Sequence, residues 1–151
     1  MPTQLTAELN AQLRHWAQEL GFADCRVSDG NLADYEPRLD QWLEQGNHGE
    51  MDYMARHGRK RSRPAELLPG TLRVISLRMD YLPGQAADMQ QNLLEPERAY
   101  VSRYALGRDY HKMMRQRLKR LAGRLAEEAG RMDYRVFVDS APVLEKALAE
   151  R

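Results

Sequence analysis

Leu5, Leu9, Leu13, Trp16 and Leu20 recur at spacings of four and three, which predicts an amphipathic helix with one apolar face. Gly21 suits the left-handed position that ends such a helix. Residues 22–27 then read as a short strand, and Ser28, Asp29, Gly30 and Asn31 as a turn. Pro37 fits the first turn of a second helix, which carries Leu39, Trp42 and Leu43 and stops at Gly46. A short helix through Met51 and Met54 follows. Residues 56–64 are polar and irregular, and residues 67–70 form a turn. The run 73–79 has apolar residues on both faces, the pattern of a central strand. Residues 81–98 hold Pro83, Gly84 and Pro96 and read as a long loop, a length often associated with function. A strand is expected over residues 99–104. The clearest helix covers residues 109–129, with Asp109 as N-cap, Met114, Leu118, Leu121 and Leu125 as its apolar stripe, and Gly130 as its stop. A last strand over 134–138 and a helix over 143–151 complete the pattern. Helices and strands in this order predict an α/β (α+β) sandwich, a mixed sheet flanked by helices.

The chain of 151 residues is the length of one domain, and 42% hydrophobic with 30% charged residues is ordinary for a soluble globular protein. No apolar run approaches the roughly 18 residues of a membrane-spanning helix. Met1, Pro2, Thr3 and Gln4 lack the basic start and apolar core of a signal peptide. Cys25 is the single cysteine, so no internal disulfide forms, and a cytoplasmic location fits. One thiol also cannot hold an iron–sulfur cluster. The last helix still runs at Arg151 without a C-cap signal, so the chain is expected to be a fragment.

Net charge is only +1, but the charges are segregated. Arg56, His57, Arg59, Lys60, Arg61 and Arg63 form one basic run; Lys112, Arg115, Arg117, Lys119, Arg120 and Arg124 form another. The acids gather between Asp24 and Asp52. Such runs are either a solvated surface or a local face for anions.

Asp139 is the strongest single candidate for chemistry. It follows Phe137 and Val138 at the end of an apolar run, where partial desolvation favours a neutral carboxyl able to act as a general acid. The alternative is an Asp that caps the turn after it. Arg103, Tyr104, Arg108, Tyr110 and His111 surround a strand-to-helix break at Gly107, where helix amides can hold an anion. His15, His48, His57 and His111 show no metal-ligand spacing, so no protein-ligated metal is expected. Cys25 reads as a small buried residue, and Met51, Met54, Met113 and Met114 as core filler.

Several motifs in order carry a resemblance that covers nearly the whole chain: Gly21-Phe22, Gly49-Glu50-Met51-Asp52-Tyr53-Met54, Arg61-Ser62-Arg63-Pro64, Leu67-Leu68-Pro69-Gly70, the stretch from Arg103 to His111, and the stretch from Asp139 to Glu145. In these the chain resembles the epoxyqueuosine reductases, which are similar to corrinoid reductive dehalogenases. The resemblance implies that residues 1–151 are a single N-terminal cobalamin-binding domain. The ferredoxin-like part with two [4Fe–4S] clusters and the helical-repeat tail of the family would lie outside it. It implies an oxidoreductase that reduces epoxyqueuosine in tRNA to queuosine, the last step of queuosine biosynthesis. The isolated chain would be inactive without the C-terminal part that supplies electrons. By motif position, Asp139 matches the family's acid. Ser102, Arg103, Asp139, Ser140 and Ala141 match the stretch lining the cobalamin, and Arg61 matches a basic residue that also faces it. Two rival readings are a non-catalytic tRNA- or phosphate-binding module and a flavin-dependent oxidoreductase of related architecture.

Overall fold

The first apolar stripe folds as the helix α1, Ala7–Glu19, in a computed structural model that describes residues 7–81, 89–130 and 132–151. Leu5, the first four residues, Pro83 and Gly84 lie outside the described residues. α1 buries Leu13 and Ala17. The chain reverses at Gly21, whose φ of +82° is left-handed, and a Cβ there would stand 2.5 Å from Arg117 Nη1. That guanidinium instead donates to the Leu20 carbonyl at 2.9 Å. Glycine is favoured here by backbone conformation, and a side chain would also displace the Arg117 guanidinium from its bond to Leu20.

β1, Asp24–Ser28, pairs antiparallel with β2, Val74–Arg78, with Asp24 opposite Arg78 and Ser28 opposite Val74. Side chains alternate across a strand. Cys25, Val27, Ile75 and Leu77 therefore join Leu13, Ala17 and Phe22 in the main core, which Leu121 and Leu125 of α6, Tyr110–Ala129, complete. Val74 packs instead with Leu32, Ala147 and Leu148 in a second core under α7, Glu145–Glu150. The sheet is thus covered on both sides, and the fold is α+β.

Five expectations give way. The sheet is an antiparallel pair among the described residues, so it is not mixed, and β2 is not central. Residues 99–104 form no strand; Arg103–Ala105 is a 3₁₀ turn. Residues 134–138 form none either. Tyr100, Val101 and Tyr134 are exposed, and a β-forming sequence makes a strand only where a partner strand accepts it. The long loop contains a helix, α5, Met89–Leu94.

The remaining helices are short. α2, Glu36–Glu44, has Pro37 in its first turn as expected, and α3, Tyr53–Arg56, and α4, Pro64–Leu67, bracket a 3₁₀ turn at Gly58–Arg61. Glu36 clamps this region. Its carboxylate accepts from Ser62 Oγ at 2.6 Å and from Arg63 at 2.7 and 2.9 Å. The Arg63 hydrogen bonds, then the Ser62 bond, hold its pKa down at about 2. A depressed carboxyl stabilises the fold fully above its ordinary value near 4.5 and loses that contribution as pH falls toward about 2. Glu36→Gln should therefore flatten the loss of stability across that acid window. Urea unfolding at stepped pH checks this, and slopes parallel to those of the parent would contradict it.

Candidate functional site

The start of α6 and the turn after Val138 bring the candidate residues together. Asp109 is the N-cap of α6 as the sequence suggests, and its carboxylate accepts the His111 N–H at 3.0 Å. The cap fixes the first turn so that Tyr110 and His111 face the turn at Asp139. Tyr110 donates its phenolic hydrogen to Asp139 Oδ2. The His111 ring lies between two carboxylates, with Nδ1 3.1 Å from Asp109 Oδ1 and Nε2 3.5 Å from Asp139 Oδ2. Its ring stacks on Tyr110 with centroids 4.0 Å apart, and Tyr104 meets Tyr110 edge-on at 6.1 Å.

Asp139 adopts φ of +55°, a left-handed conformation that Asp tolerates better than most residues. Val138 before it is buried, but the turn swings the Asp139 side chain outward to 52% exposure. The desolvation expected for the end of a buried strand is therefore absent, because that strand does not form. The cap role is not what this side chain performs either. It engages Tyr110 and His111, while α7 has Leu144 at its N-cap with no side-chain bond.

Charge at the site redistributes protons. The hydrogen bond to Asp139, with burial and the Asp139 charge behind it, pushes the Tyr110 phenol up to about 12. Glu145 is also raised, first by desolvation and then by the Asp139 charge, with the Asp139 backbone N–H working the other way. A neutral phenol and a carboxyl pushed toward neutrality thus flank Asp139.

Beside the turn runs an open groove of about 560 Å³, lined by Arg115 and Lys119 of α6, by Arg135 and Phe137, and by Ser140 and Ala141. Arg115 donates to Ser140 Oγ at 3.3 Å. Ser102 opens the 3₁₀ turn, its carbonyl accepting from the Ala105 N–H at 2.9 Å, and Tyr104 of the same turn reaches Tyr110. Ser102 and Arg103 therefore flank the site through Tyr104. Arg61 lies behind it. Its guanidinium is buried and donates to the Met54 and Tyr53 carbonyls at 3.0 and 2.7 Å, and its own carbonyl accepts from the Leu144 N–H at 3.0 Å. Among the described residues no cluster of His, Cys, Asp or Glu could hold a metal ion. Cys25 is buried, and burial pushes its thiol pKa up.

The family described as epoxyqueuosine reductase QueG, DUF1730, matches residues 61–140, a span that opens at Arg61 and closes on the Asp139–Ser140 turn. The chain belongs to this QueG family. It is 63% identical over 145 residues to the epoxyqueuosine reductase of Pseudomonas aeruginosa, covering 96% of this chain and 40% of that protein. The epoxyqueuosine reductase of Vibrio cholerae is 56% identical over 144 residues, covering 95% of this chain and 39% of its own length. That of Escherichia coli is 53% identical over 144 residues, covering 95% and 38%. The chain thus spans about 40% of the length of these QueG relatives. No solved structure matches it.

Proposed function

We propose that this chain is the cobalamin-binding part of an epoxyqueuosine reductase and works on tRNA that carries epoxyqueuosine, with Asp139 as the proton donor. The observation that carries the reading is the convergence of Tyr110 and His111 on Asp139, inside the span that matches the family. The electrons come from two [4Fe–4S] clusters bound outside these residues, since Cys25 alone is no cluster ligand set. A tRNA substrate assigns the work to the cytoplasm. Among the described residues no helix is long and apolar enough to cross a membrane.

The groove residues fit the rim of a corrinoid. Ser140 and the 139–141 backbone suit its amides, while Arg115, Lys119 and Arg135 suit its phosphate. When bound, cobalamin supplies the reducing power for the epoxide. The protein's own part is proton handling and positioning. Asp139 in its protonated form passes a proton to the epoxide oxygen as the C–O bond breaks. Tyr110 holds the Asp139 carboxyl in place through its hydroxyl and keeps its own proton at neutral pH. Arg115 orients Ser140 beside it. The chain joined to the C-terminal remainder of its Pseudomonas relative, with cobalamin and a reductant, should convert epoxyqueuosine tRNA to queuosine tRNA. The 151-residue chain alone should not. No product from the joined protein would overturn the proposal.

Several of the basic residues in the two runs serve the fold: Arg61 and Arg117 reach carbonyls, Arg63 pairs with Glu36, and Arg124 pairs with Glu19. With the groove cations facing the corrinoid, tRNA phosphates fall to the exposed members of the runs, Arg56, Lys60, Lys112 and Arg120. The chain should bind tRNA weakly, with affinity falling as salt rises because counterions are released. Neutralising Lys60 and Arg120 should weaken binding and shallow the salt dependence by roughly one counterion per lost phosphate contact. Filter binding across a salt series measures both, and an unchanged slope would exclude these two residues.

A further inference from the structure

We propose that His111 restores the proton to Asp139, with Asp109 fixing the imidazole for that transfer; the role rests on the reading of Asp139 as proton donor. Chemistry creates the need. An epoxide oxygen that leaves as water takes up two protons, and one carboxyl carries one at a time. A donor that works repeatedly must be recharged between transfers.

The geometry supplies one route. His111 Nε2 stands 3.5 Å from Asp139 Oδ2, the same oxygen that accepts from Tyr110. The opposite ring nitrogen, Nδ1, is 3.1 Å from Asp109 Oδ1. A carboxylate at Nδ1 selects the tautomer with a hydrogen there and leaves Nε2 as the proton-accepting site. Burial opposes ionisation of Asp109, but the His111 ring and N–H outweigh it and hold this carboxyl below its ordinary range. Asp109 is thus a fixed anion. Tyr110 stacks on the ring and keeps it from rotating away. With 44% of its side chain exposed, His111 also reaches water. An imidazole exchanges protons with water near neutral pH more readily than any other side chain.

The proton path balances. Asp139 gives its proton to the oxygen and becomes a carboxylate. Imidazolium Nε2–H gives its proton to Asp139 Oδ2 and becomes neutral imidazole. Nε2 then takes up one proton from the bulk solvent, which supplies the protons the reaction consumes, while Nδ1–H stays on Asp109. Other groups near this path do not compete for the role. Tyr110 holds its proton too tightly, and Glu145 faces the backbone of Asp139 from α7. Arg115 is bonded to Ser140, and the Lys112 charge acts on Asp109. His111 acts on Asp139 and not on substrate, so it is a positioning and proton-supplying residue.

The test uses the chain joined to its relative's C-terminal remainder. His111→Gln should lower the steady-state rate by roughly 10²-fold, the low end for a placed proton-transfer group, with KM for tRNA unchanged. Added imidazole should restore much of the rate. A rate within twofold of the parent, or a loss that imidazole leaves untouched, would overturn the role. A second readout needs no turnover: ¹⁵N NMR of the ring should show the neutral form protonated at Nδ1, and Asp109→Asn should erase that preference. A neutral ring protonated at Nε2 in the parent would also overturn it. Failure of the underlying reading looks different, because Asp139→Asn would then turn over normally whatever His111 does.

Discussion

Asp139→Asn in the joined, cobalamin-loaded protein should slow epoxide reduction by roughly 10²–10⁴-fold, the usual worth of a placed general acid. Asparagine is the informative replacement. It keeps the size, keeps an oxygen for the Tyr110 hydroxyl, and tolerates the left-handed φ of +55° nearly as well as aspartate does. It cannot donate a comparable acidic proton. The melting temperature and the cobalamin absorption spectrum should stay close to those of the parent, and KM for tRNA should change little. Turnover near the parent rate with cobalamin bound would sink the assignment. Loss of folding would point to the Tyr110 contact as the reason for the residue. Asp139→Ala would confuse the two, because alanine fits the left-handed region poorly and removes the hydrogen bond as well.

Arg61→Met should be the most destabilising of the site substitutions. Arg61 is 7% exposed, and its guanidinium donates to the carbonyls of both Tyr53 and Met54. Methionine fills similar volume but leaves two partly buried acceptors without this donor, each costing up to about 1–3 kcal/mol. The total, about 2–4 kcal/mol after partial relaxation and water entry, corresponds to a fall in Tm of roughly 5–15 °C for a domain of this size. Thermal melting followed by circular dichroism measures it. The motif position of Arg61 implies a residue facing the corrinoid; its side chain here is spent on α3. A variant that melts like the parent yet loses cobalamin affinity would restore the cofactor role.

Much of this arrangement could be read in the sequence where a local rule decides the structure. The Asp109 cap, the Met114-to-Leu125 stripe, the reversal at Gly21 and the two strand segments near 22–27 and 73–79 each follow from a few neighbouring residues, whereas the antiparallel pairing of those strands does not. The segments 99–104 and 134–138 were misleading because apolar and β-branched content shows only what a strand would accept. Whether a partner edge exists is decided elsewhere in the chain. The same gap hid the setting of Asp139. Its burial was inferred from a strand, and its real partners come from residues 28 and 29 positions earlier at the start of α6. Tyr110 and His111 were visible as members of a polar break. Their joint aim at one carboxylate oxygen depends on a turn no local pattern specifies. Arg61 shows the converse, since a basic run gives no sign of which member folds inward.

The bonds that close the fold join its early residues to its last. Leu148 and Ala147 of α7 cover Leu32, the Leu144 N–H meets the Arg61 carbonyl, Arg151 pairs with Asp34 at 2.7 Å, and Glu150 accepts from Tyr35. None of these can form until residues 144–151 have emerged from a ribosome. At about 5–20 residues per second, the outer face of the β1–β2 pair waits some seconds for its cover. α1 and β1 are synthesised early, yet β1 finds its neighbour only after β2 appears, and the turn at Asp139 acquires its backing last of all. During translation, then, the nascent chain passes through an interval in which one side of its sheet is bare. That is when a holdase chaperone has the most to grip, and when a slow codon placed before Ala147 would do the most harm.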